Sequence, residues 1–268
     1  MSVSEPAAPE PAALYEARDH IAVVTLNRPA AMNSVNAALS AAAGDALARA
    51  AEDPDVRVVV ITGAGRAFCA GADLKEIAAG RSVYDPDHRE RDFAGIVRHW
   101  IPKPVIAAVN GFALGGGTEI VLSADLAVID EAATLGLPEV RRGLIAAAGG
   151  LLRVHRQVPA KVAAEIALTG QPISAARAYE LGLVNRVAAS GTALSVALEM
   201  AAVIAANAPL AVQQSKKVLR DSASGQIGWS DEEWAVNRAA AKIVMTSADA
   251  QEGPRAFAEK RQPRWSGS

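Results

Sequence analysis

The chain has 268 residues, 51% of them hydrophobic, and carries a formal net charge of −2 with an isoelectric point near 6.1. That length suits one large domain, or one domain with an appendage, and supplies enough apolar surface for a stable core. The near-neutral charge excludes the basic patch that nucleic acids or anionic membrane surfaces attract. The single cysteine, Cys69, cannot form an intrachain disulfide and stands in an apolar stretch, so we interpret it as a packing residue in a reducing compartment.

Residues 1–12 are rich in Ala, Pro, Glu and Ser and lack the charged start and apolar centre of a signal peptide, which predicts a disordered tail. No apolar run approaches the roughly 18 residues of a spanning helix, so we expect a cytoplasmic protein. The four histidines are dispersed without metal-ligand spacing, and we expect no metal site. They are His20, His88, His99 and His155.

Short apolar runs alternate with longer helical patterns through the first half of the chain. The runs at 21–26, 57–62, 105–109 and 126–129 predict strands. Asn33 is predicted to cap a helix whose apolar positions recur until Pro54. This alternation indicates an α/β core.

The second half becomes almost wholly helical from Pro159 onward. Ser174 is predicted to cap a short helix that stops at Gly182. Further helices are predicted over 194–206, from Pro209 and over 231–246. We therefore divide the chain into a tail over 1–12, a core over 13–205 and a helical C-terminal region over 206–268.

Residues 61–75 are the first segment with chemical content, because a strand leads there into glycines and a helix is expected near Asp73. Gly63 and Gly65 suggest a dinucleotide-binding fingerprint, but Phe68 stands where its third glycine belongs. A tight strand-to-helix turn is the plainer alternative. A third interpretation is that the chain bends at residue 71, so that the Ala72 N–H points outward and can receive a ligand oxygen.

Two acids follow in glycine-rich surroundings. Three glycines at 115–117 open an apolar helix, where free N–H groups and the positive dipole end favour an anion, and Glu119 lies in its first turn. Glu119 could equally be an acid that only stabilises the helix. Glu139 follows a proline in an apolar setting, where an unpaired carboxylate is costly; the alternative is an ion pair with Arg141 or Arg142.

Together these segments resemble the crotonase superfamily, the enoyl-CoA hydratase/isomerase family, over nearly the whole chain beyond the tail. The matching motifs are Asn27-Arg28-Pro29, Met32-Asn33-Ser34, 66–76, 113–119, Leu168-Thr169-Gly170, 178–185 and 255–261. Their order is far more specific than any one glycine loop. The resemblance implies a crotonase-like spiral of ββα units, whose helical C-terminal region takes part in forming homotrimers or hexamers that are dimers of trimers.

The resemblance also implies an acyl-CoA thioester as ligand, with CoA as part of the substrate and no separate cofactor. The backbone N–H groups of Ala72 and Gly116 would form an oxyanion hole for an enolate-like thioester anion. Phe257 and Lys260, from a neighbouring subunit, would complete the adenine site. The full set of implied substrate and CoA contacts is Arg28, Ala70, Asp73, Leu74, Lys75, Leu114, Ala147, Phe257 and Lys260.

Glu119 and Glu139 align with the two glutamates of the hydratases, which favours reversible addition of water to a 2-enoyl-CoA to give a 3-hydroxyacyl-CoA. We assign Glu119 to deprotonating the water and Glu139 to donating the proton, although coupled carboxyls can share or exchange these roles. An isomerase, a specialised dehydratase resembling the carnitinyl-CoA enzymes, and a non-catalytic acyl-CoA-binding protein remain alternatives.

One stretch departs from the pattern of the family. Ala146 stands where hydratases carry a proline, and Ala147 replaces the glycine whose N–H helps hold the water. Ala147 retains an N–H, so that contact can survive. The added methyl and the freer backbone change the expected shape of the pocket and leave the acyl group open.

Overall fold

The computed structural model describes residues 10–222 and 231–268; the side chains of 222, 231–234, 236, 237, 257 and 258 are also outside the description. The described strands are β1 (Ala13–Arg18), β2 (Ile21–Leu26), β3 (Val58–Gly63), β4 (Ala67–Cys69), β5 (Val105–Val109), β6 (Phe112–Leu114), β7 (Leu126–Asp130), β8 (Thr134–Gly136), β9 (Ile173–Ser174) and β10 (Arg186–Ala188). The described helices are α1 (Ala37–Glu52), α2 (Leu74–Ala78), α3 (Gly116–Ser123), α4 (Gly150–Gln157), α5 (Ala160–Thr169), α6 (Ala175–Glu180), α7 (Ala193–Ala205), α8 (Pro209–Ser222), α9 (Asp231–Met245) and α10 (Ala248–Ala258).

The larger sheet has six strands in the order β1-β2-β3-β5-β7-β10. Only β1 and β2 pair antiparallel, and the remaining neighbours are parallel. All six residues of β3 are buried, because α1 covers one face of the sheet and α7 covers the other. The side of α7 that packs on the sheet consists of alanines four residues apart, which lets the helix approach closely. They are Ala193, Ala197, Ala201 and Ala205.

The smaller sheet has four strands in the order β4-β6-β8-β9. Its first three strands each follow a strand of the larger sheet after a short turn, since β4 follows β3, β6 follows β5 and β8 follows β7. A helix or 3₁₀ turn begins just beyond each of them: α2, α3 and the turn Pro138–Arg142. The chain therefore repeats a strand-strand-helix unit, and the starts of these helical segments lie at one side of the smaller sheet.

The predicted α/β core is confirmed. The four predicted strands correspond to β2, β3, β5 and β7, and their bounds differ from the prediction by no more than one residue at either end. Ser174 caps α6 as predicted, because its side chain accepts a hydrogen bond from the Arg177 N–H. The predicted cap at Asn33 is wrong. Asn36 caps α1 by accepting from Leu39 N–H, whereas the fully buried Asn33 side chain donates to the carbonyl oxygens of two distant residues.

The C-terminal part of the described chain is helical after β10, as the sequence predicts. Residues 1–9 of the predicted tail lie outside the description, while Glu10 and Pro11 accept hydrogen bonds from the Asn27 side chain. Among the described helices, none is alone long and apolar enough to span a membrane. The segments Ala193–Ala205 and Pro209–Asp221 meet that length and composition only as a pair, bent by 108°.

Candidate active site

A cleft of about 1120 Å³ opens beside the smaller sheet, where the three strand-strand-helix units begin their helical segments. Backbone of two glycine-rich turns, two glutamates and a set of apolar side chains form its walls. The lining residues are Ala70, Gly71, Ala72, Leu74, Ile77, Arg81, Ser82, Val83, Tyr84, Arg89, Phe93, Leu114, Gly115, Gly116, Glu119, Pro138, Glu139, Arg141, Arg142, Gly143, Leu144, Ile145, Ala147 and Pro172.

The first turn, between β4 and α2, leaves the Ala72 N–H without an acceptor in the part of the chain that the structure describes. Val35 N–H donates to the Gly71 carbonyl over 2.8 Å, and Asp73 N–H donates to the Val35 carbonyl over 2.9 Å. These two bonds form a parallel bridge between Val35 and Ala72, and they use the Gly71 carbonyl and the Asp73 N–H, which flank Ala72. The N–H of Ala72 itself therefore faces away from Val35. Nothing in the described chain accepts a hydrogen bond from it.

The second turn, between β6 and α3, brings a second free N–H beside the first. Gly116 is the first residue of α3, and its N–H also has no acceptor in the described part of the chain. A Cβ on Gly71 would lie 3.3 Å from the Gly116 nitrogen and 2.9 Å from the Leu114 carbonyl oxygen. With φ at +93°, Gly71 also holds a backbone conformation that other residues rarely adopt. The two turns are therefore in direct contact.

Glu119 is a buried acid in the first turn of α3, only 3% exposed. Its Oε1 accepts a hydrogen bond from the Gly150 N–H, at the start of α4, over 2.8 Å. Burial raises the pKa of Glu119 to about 7; the Gly150 N–H opposes the rise, and the negative charge of Glu139 adds to it. A carboxyl with this pKa exchanges protons readily near neutral pH.

Glu139 reaches the same place from the 3₁₀ turn after β8. A Cβ on Gly115 would lie 2.9 Å from Glu139 Oε1, which puts this carboxyl against the turn that carries Gly116. Its Oε2 is buried and has no hydrogen-bond partner among the described residues, and burial raises the pKa of the Glu139 carboxyl. The alternative of an ion pair is not supported, since neither Arg141 nor Arg142 pairs with it in the described structure. An unpartnered buried carboxyl oxygen aimed at a cleft is suited to a ligand or water.

Most of the residues predicted for the site meet in this cleft. Those that line it are Ala70, Ala72, Leu74, Leu114, Gly116, Glu119, Glu139 and Ala147. Ala146 is buried behind the cleft surface, next to Gly150.

The remaining predicted contacts lie outside the lining. Arg28 forms an ion pair with Asp73 over 3.0 Å and donates to the Ser34 carbonyl. Burial alone would raise the pKa of Asp73, but Arg28 and the N–H of Lys75, which Asp73 caps at the start of α2, lower it. Lys75 and Lys260 are exposed. Phe257 belongs to α10, but its side chain is outside the described part.

The segment between α2 and β5 forms part of the cleft wall, although none of its residues was predicted for the site and the polar stretch 81–91 was interpreted as a solvated loop. Tyr84 lines the cleft with the Arg89 guanidinium 4.3 Å above its ring. Phe93 is buried, and its ring lies so close to Gly116 that a Cβ there would be 2.3 Å away. The signal available in the sequence for these wall residues was an aromatic residue within a polar stretch, as at Tyr84 and Phe93. The stretch has no periodicity, and its backbone is set by contacts such as the Ser40 hydroxyl donating to the Val83 carbonyl.

Metal and thiol chemistry find no support in the described residues. No group of three or more His, Cys, Asp and Glu side chains there is arranged to hold a metal ion. Cys69 is fully buried, and burial raises the pKa of its thiol to about 12, which fits a packing residue. The groups that the described cleft offers for chemistry are the N–H donors of Ala72 and Gly116, the buried Glu119 carboxyl and the half-buried Glu139 carboxyl. Such a set can stabilise a developing oxyanion and move protons beside it.

Comparison with known proteins agrees with this geometry. A model of the enoyl-CoA hydratase/isomerase family matches residues 16–268. The chain is 40% identical over 259 residues to the enoyl-CoA hydratase EchA19 of Mycobacterium tuberculosis, covering 95% of this chain and 96% of that protein.

Two solved structures resemble the chain over almost its whole length. An enoyl-CoA hydratase from Mycobacterium tuberculosis H37Rv has a TM-score of 0.90 at 46% identity, covering 97% of this chain and 100% of that one. A carnitinyl-CoA hydratase from Mycobacterium avium has a TM-score of 0.78 at 51% identity, with the same coverage. These likenesses confirm the crotonase-like spiral of ββα units, and the chain belongs to the enoyl-CoA hydratase/isomerase family.

Proposed function

We propose that this protein is a 2-enoyl-CoA hydratase. The observation that carries the proposal is that the buried Glu119 and the half-buried Glu139 line one cleft beside the N–H groups of Ala72 and Gly116, which have no acceptor in the described chain. Hydration places the oxygen of a water on C3 of the 2-enoyl thioester and a proton on C2. It needs a base for the water, an acid for C2 and a site for the charge that develops on the thioester oxygen.

The two N–H donors suit that charge. As the water attacks C3, electrons move through the conjugated system to the thioester oxygen and give an enolate-like anion. Ala72 and Gly116 donate to this oxygen from fixed backbone positions, so little reorganisation accompanies the reaction. Removing one such donor elsewhere costs roughly 3–4 kcal/mol, which sets the scale of the effect.

The carboxyls suit the proton transfers. Glu119 takes the proton of the attacking water, because its pKa of about 7 leaves a useful fraction ionised near neutral pH. Glu139, whose pKa burial also raises, delivers the proton to C2. The reverse reaction uses the same two groups with their protonation exchanged, because it passes through the same transition state.

CoA enters as part of the substrate, and the proposal includes no separate cofactor. The predicted CoA contacts at Arg28, Asp73 and Lys75 lie at the start of α2, beside the Ala72 end of the cleft. Homotrimers or hexamers, with Phe257 and Lys260 from a neighbouring subunit at the adenine, remain part of the proposal.

A specialised dehydratase is the second candidate. It is favoured by the 51% identity to the carnitinyl-CoA hydratase structure and by the Ala146-Ala147 pair, which departs from the pattern of ordinary hydratases. Dehydration of a hydroxyacyl-CoA is the reverse of hydration and uses the same carboxyls. The two candidates therefore differ in acyl group and are separated by a substrate panel.

The test is to mix the purified protein with crotonyl-CoA, longer and branched 2-enoyl-CoAs and crotonobetainyl-CoA, and to follow loss of the absorbance of the conjugated thioester. We expect Glu119→Gln and Glu139→Gln each to lower kcat by about 100-fold or more, because each removes a general acid-base group. The matched control is Glu199→Gln, which changes an exposed glutamate on α7.

Measurable binding of acyl-CoA without any loss of absorbance across the panel would exclude a hydratase and favour a non-catalytic binding protein. Turnover of crotonobetainyl-CoA alone would favour the dehydratase. Conversion to a 3-enoyl-CoA in place of a hydroxyacyl-CoA would indicate an isomerase. Near-normal turnover in either glutamine variant would show that the assigned roles are wrong.

A further inference from the structure

Arg153 is a half-buried arginine on α4 whose guanidinium folds back toward the start of its own helix. Its Nη1 donates to the Ala148 carbonyl over 3.2 Å and its Nη2 to the Val97 carbonyl over 2.5 Å. A Cβ on Gly149 would lie 2.0 Å from Nη1, so the guanidinium rests directly on the Gly149 backbone. The planar guanidinium carries its donors on separate nitrogens in a fixed arrangement, so Nη1 and Nη2 can each hold a different carbonyl, whereas a lysine has a single nitrogen to place.

These hydrogen bonds tie together two segments that are distant in sequence. Ala148 and Gly149 end the loop 143–149, which leads into α4, while Val97 ends the segment 92–97. The loop contains the alanines that replace the proline and glycine expected from the family pattern, so no proline ring restrains it there. The Arg153 fork supplies a restraint from outside the loop.

Each of the two segments touches one part of the proposed machinery. Gly150, directly after the loop, donates its N–H to Glu119 Oε1. Phe93, in the other segment, packs its ring against Gly116, and the Val97 N–H bonds back to the Phe93 carbonyl over 3.2 Å. A group that links the two segments therefore braces the first turn of α3 at two points, the Glu119 carboxyl and Gly116.

We infer that Arg153 is a positioning residue for the reaction: its guanidinium clamps the loop before α4 to segment 92–97, and so holds the Gly150 N–H on Glu119 while the Phe93 ring holds Gly116. The inference rests on the proposed function. It adds a residue that does not touch the substrate, and it acts through Glu119.

The charges around Glu119 give this role a signature in pH. Glu139 faces Glu119 and raises its pKa, whereas the positive charge of Arg153 lowers it. Burial chiefly raises the pKa of the Tyr84 phenol, and the charges of Asp92 and Glu119 add to the rise; Asp92 and Arg156 face Arg153. Loss of Arg153 removes a positive charge that favours ionised Glu119. It also loosens the Gly150 N–H, which favours the ionised form by donating to Oε1. The pKa of Glu119 must then rise, and the acid limb of the pH-rate profile must move to higher pH.

The experiment compares the parent with Arg153→Met, Arg153→Lys and the control Arg156→Ala, an exposed arginine on the same helix. For Arg153→Met we expect kcat to fall by about 10-fold or more with KM changed less than about threefold, and the acid limb to rise by about half a pH unit or more. Arg153→Lys keeps the positive charge but not the planar fork. Its acid limb should therefore stay near that of the parent, and its kcat should lie between those of the parent and Arg153→Met. Arg156→Ala should match the parent.

A second readout does not depend on turnover. The carboxyl carbon resonance of ¹³C-labelled Glu119, identified by its loss in Glu119→Gln, is titrated in the parent and in Arg153→Met; a raised pKa supports the inference.

A parent that hydrates no substrate would overturn the proposed function, while this titration would still decide the role of Arg153. In Arg153→Met, an unchanged Glu119 pKa, or a loss of kcat with an unmoved acid limb, would reduce Arg153 to a structural residue. If Arg153→Met does not fold, parent-like kcat in Arg153→Lys overturns the inference and reduced kcat with a retained acid limb supports it.

Discussion

The N–H of Gly116 depends on a side chain that makes no hydrogen bond to it. The Phe93 ring occupies the space into which a Cβ on Gly116 would project, 2.3 Å from two ring carbons. Even an alanine must therefore push the ring away or shift the first turn of α3. Either movement changes the direction of the N–H that we assign to the thioester oxygen.

We therefore expect Gly116→Ala to lower kcat/KM by about 100-fold or more, the scale of losing one oxyanion donor. Steady-state kinetics on the best enoyl-CoA would measure this, with thermal unfolding to show that the variant is folded. Gly253→Ala is the matched control, because a Cβ there would make ordinary contact with Trp265 at 3.4 Å. A Gly116→Ala enzyme within about threefold of the parent would contradict the assignment of the hole.

At the scale of single residues, the sequence identifies important side chains more easily than it identifies the contacts around them. Glu119 and Glu139 were identified from glycine-rich and apolar surroundings together with the family resemblance, and the structure brings both to one cleft. The Gly150 N–H on Glu119 was not foreseen, because it joins positions 31 residues apart. Tyr84 and Phe93 were missed for the same reason: distant contacts place them.

Asn33 shows where reading single elements from the sequence fails. An asparagine just before an apolar periodic stretch is a typical helix cap, yet the cap is Asn36. Asn33 instead donates to the Ala64 and Ala67 carbonyls over 2.9 and 2.8 Å and accepts from the Arg28 N–H over 2.9 Å. It holds the turn between β3 and β4, a role that depends on segments more than 30 residues away.

This difference predicts unequal stability losses from two similar substitutions. Asn36→Ala should cost about 1 kcal/mol, the usual value for a helix cap. Asn33→Ala should cost about 3 kcal/mol, because it removes three buried or part-buried hydrogen bonds to backbone groups. Urea unfolding of both variants and the parent at one protein concentration would measure the two free energies. An equal or larger loss for Asn36→Ala would show that Asn33 does not hold the turn.

Among whole elements, the strands with continuous apolar runs were predictable and the three-residue strands were not. Strands β2 and β5 match the predicted bounds, because continuous apolar runs are buried on both faces. Strands β4, β6 and β8 have three residues each and carry too little periodicity to be recognised. They form because successive units stack beside one another, which is a property of the assembled sheet.

Across the whole molecule, the site is built from successive repeats of one unit. The first contributes Ala72, the second Gly116 and Glu119, and the third Glu139, each just beyond a strand of the smaller sheet. Parallel pairing of β4 with β6 and of β6 with β8 is what brings these positions side by side. The family resemblance could therefore identify the residues from sequence, while their distances depend on the pairing of the sheet.

The cleft that these units surround also constrains the acyl group. Leu144 and Ile145 line it with 46% and 65% of their surfaces exposed, and Leu74 and Ile77 line it at 51% and 43%. Exposed apolar side chains gathered along a cleft mark a surface that an apolar ligand covers. An acyl chain longer than that of crotonyl-CoA would remove them from water.

We therefore expect kcat/KM to rise from four-carbon to eight-carbon 2-enoyl-CoA, by up to about fourfold for each CH₂ that the cleft buries, since each is worth about 0.8 kcal/mol. Ile145→Asp should lower the eight-to-four-carbon ratio of kcat/KM by about 10-fold, because it removes apolar wall and sets a carboxylate beside the chain. Leu14→Asp, on β1 outside the cleft lining, should leave the ratio unchanged. An unaltered ratio in Ile145→Asp would mean that the acyl chain leaves the cleft by another side, and the apolar rim would then need a different ligand.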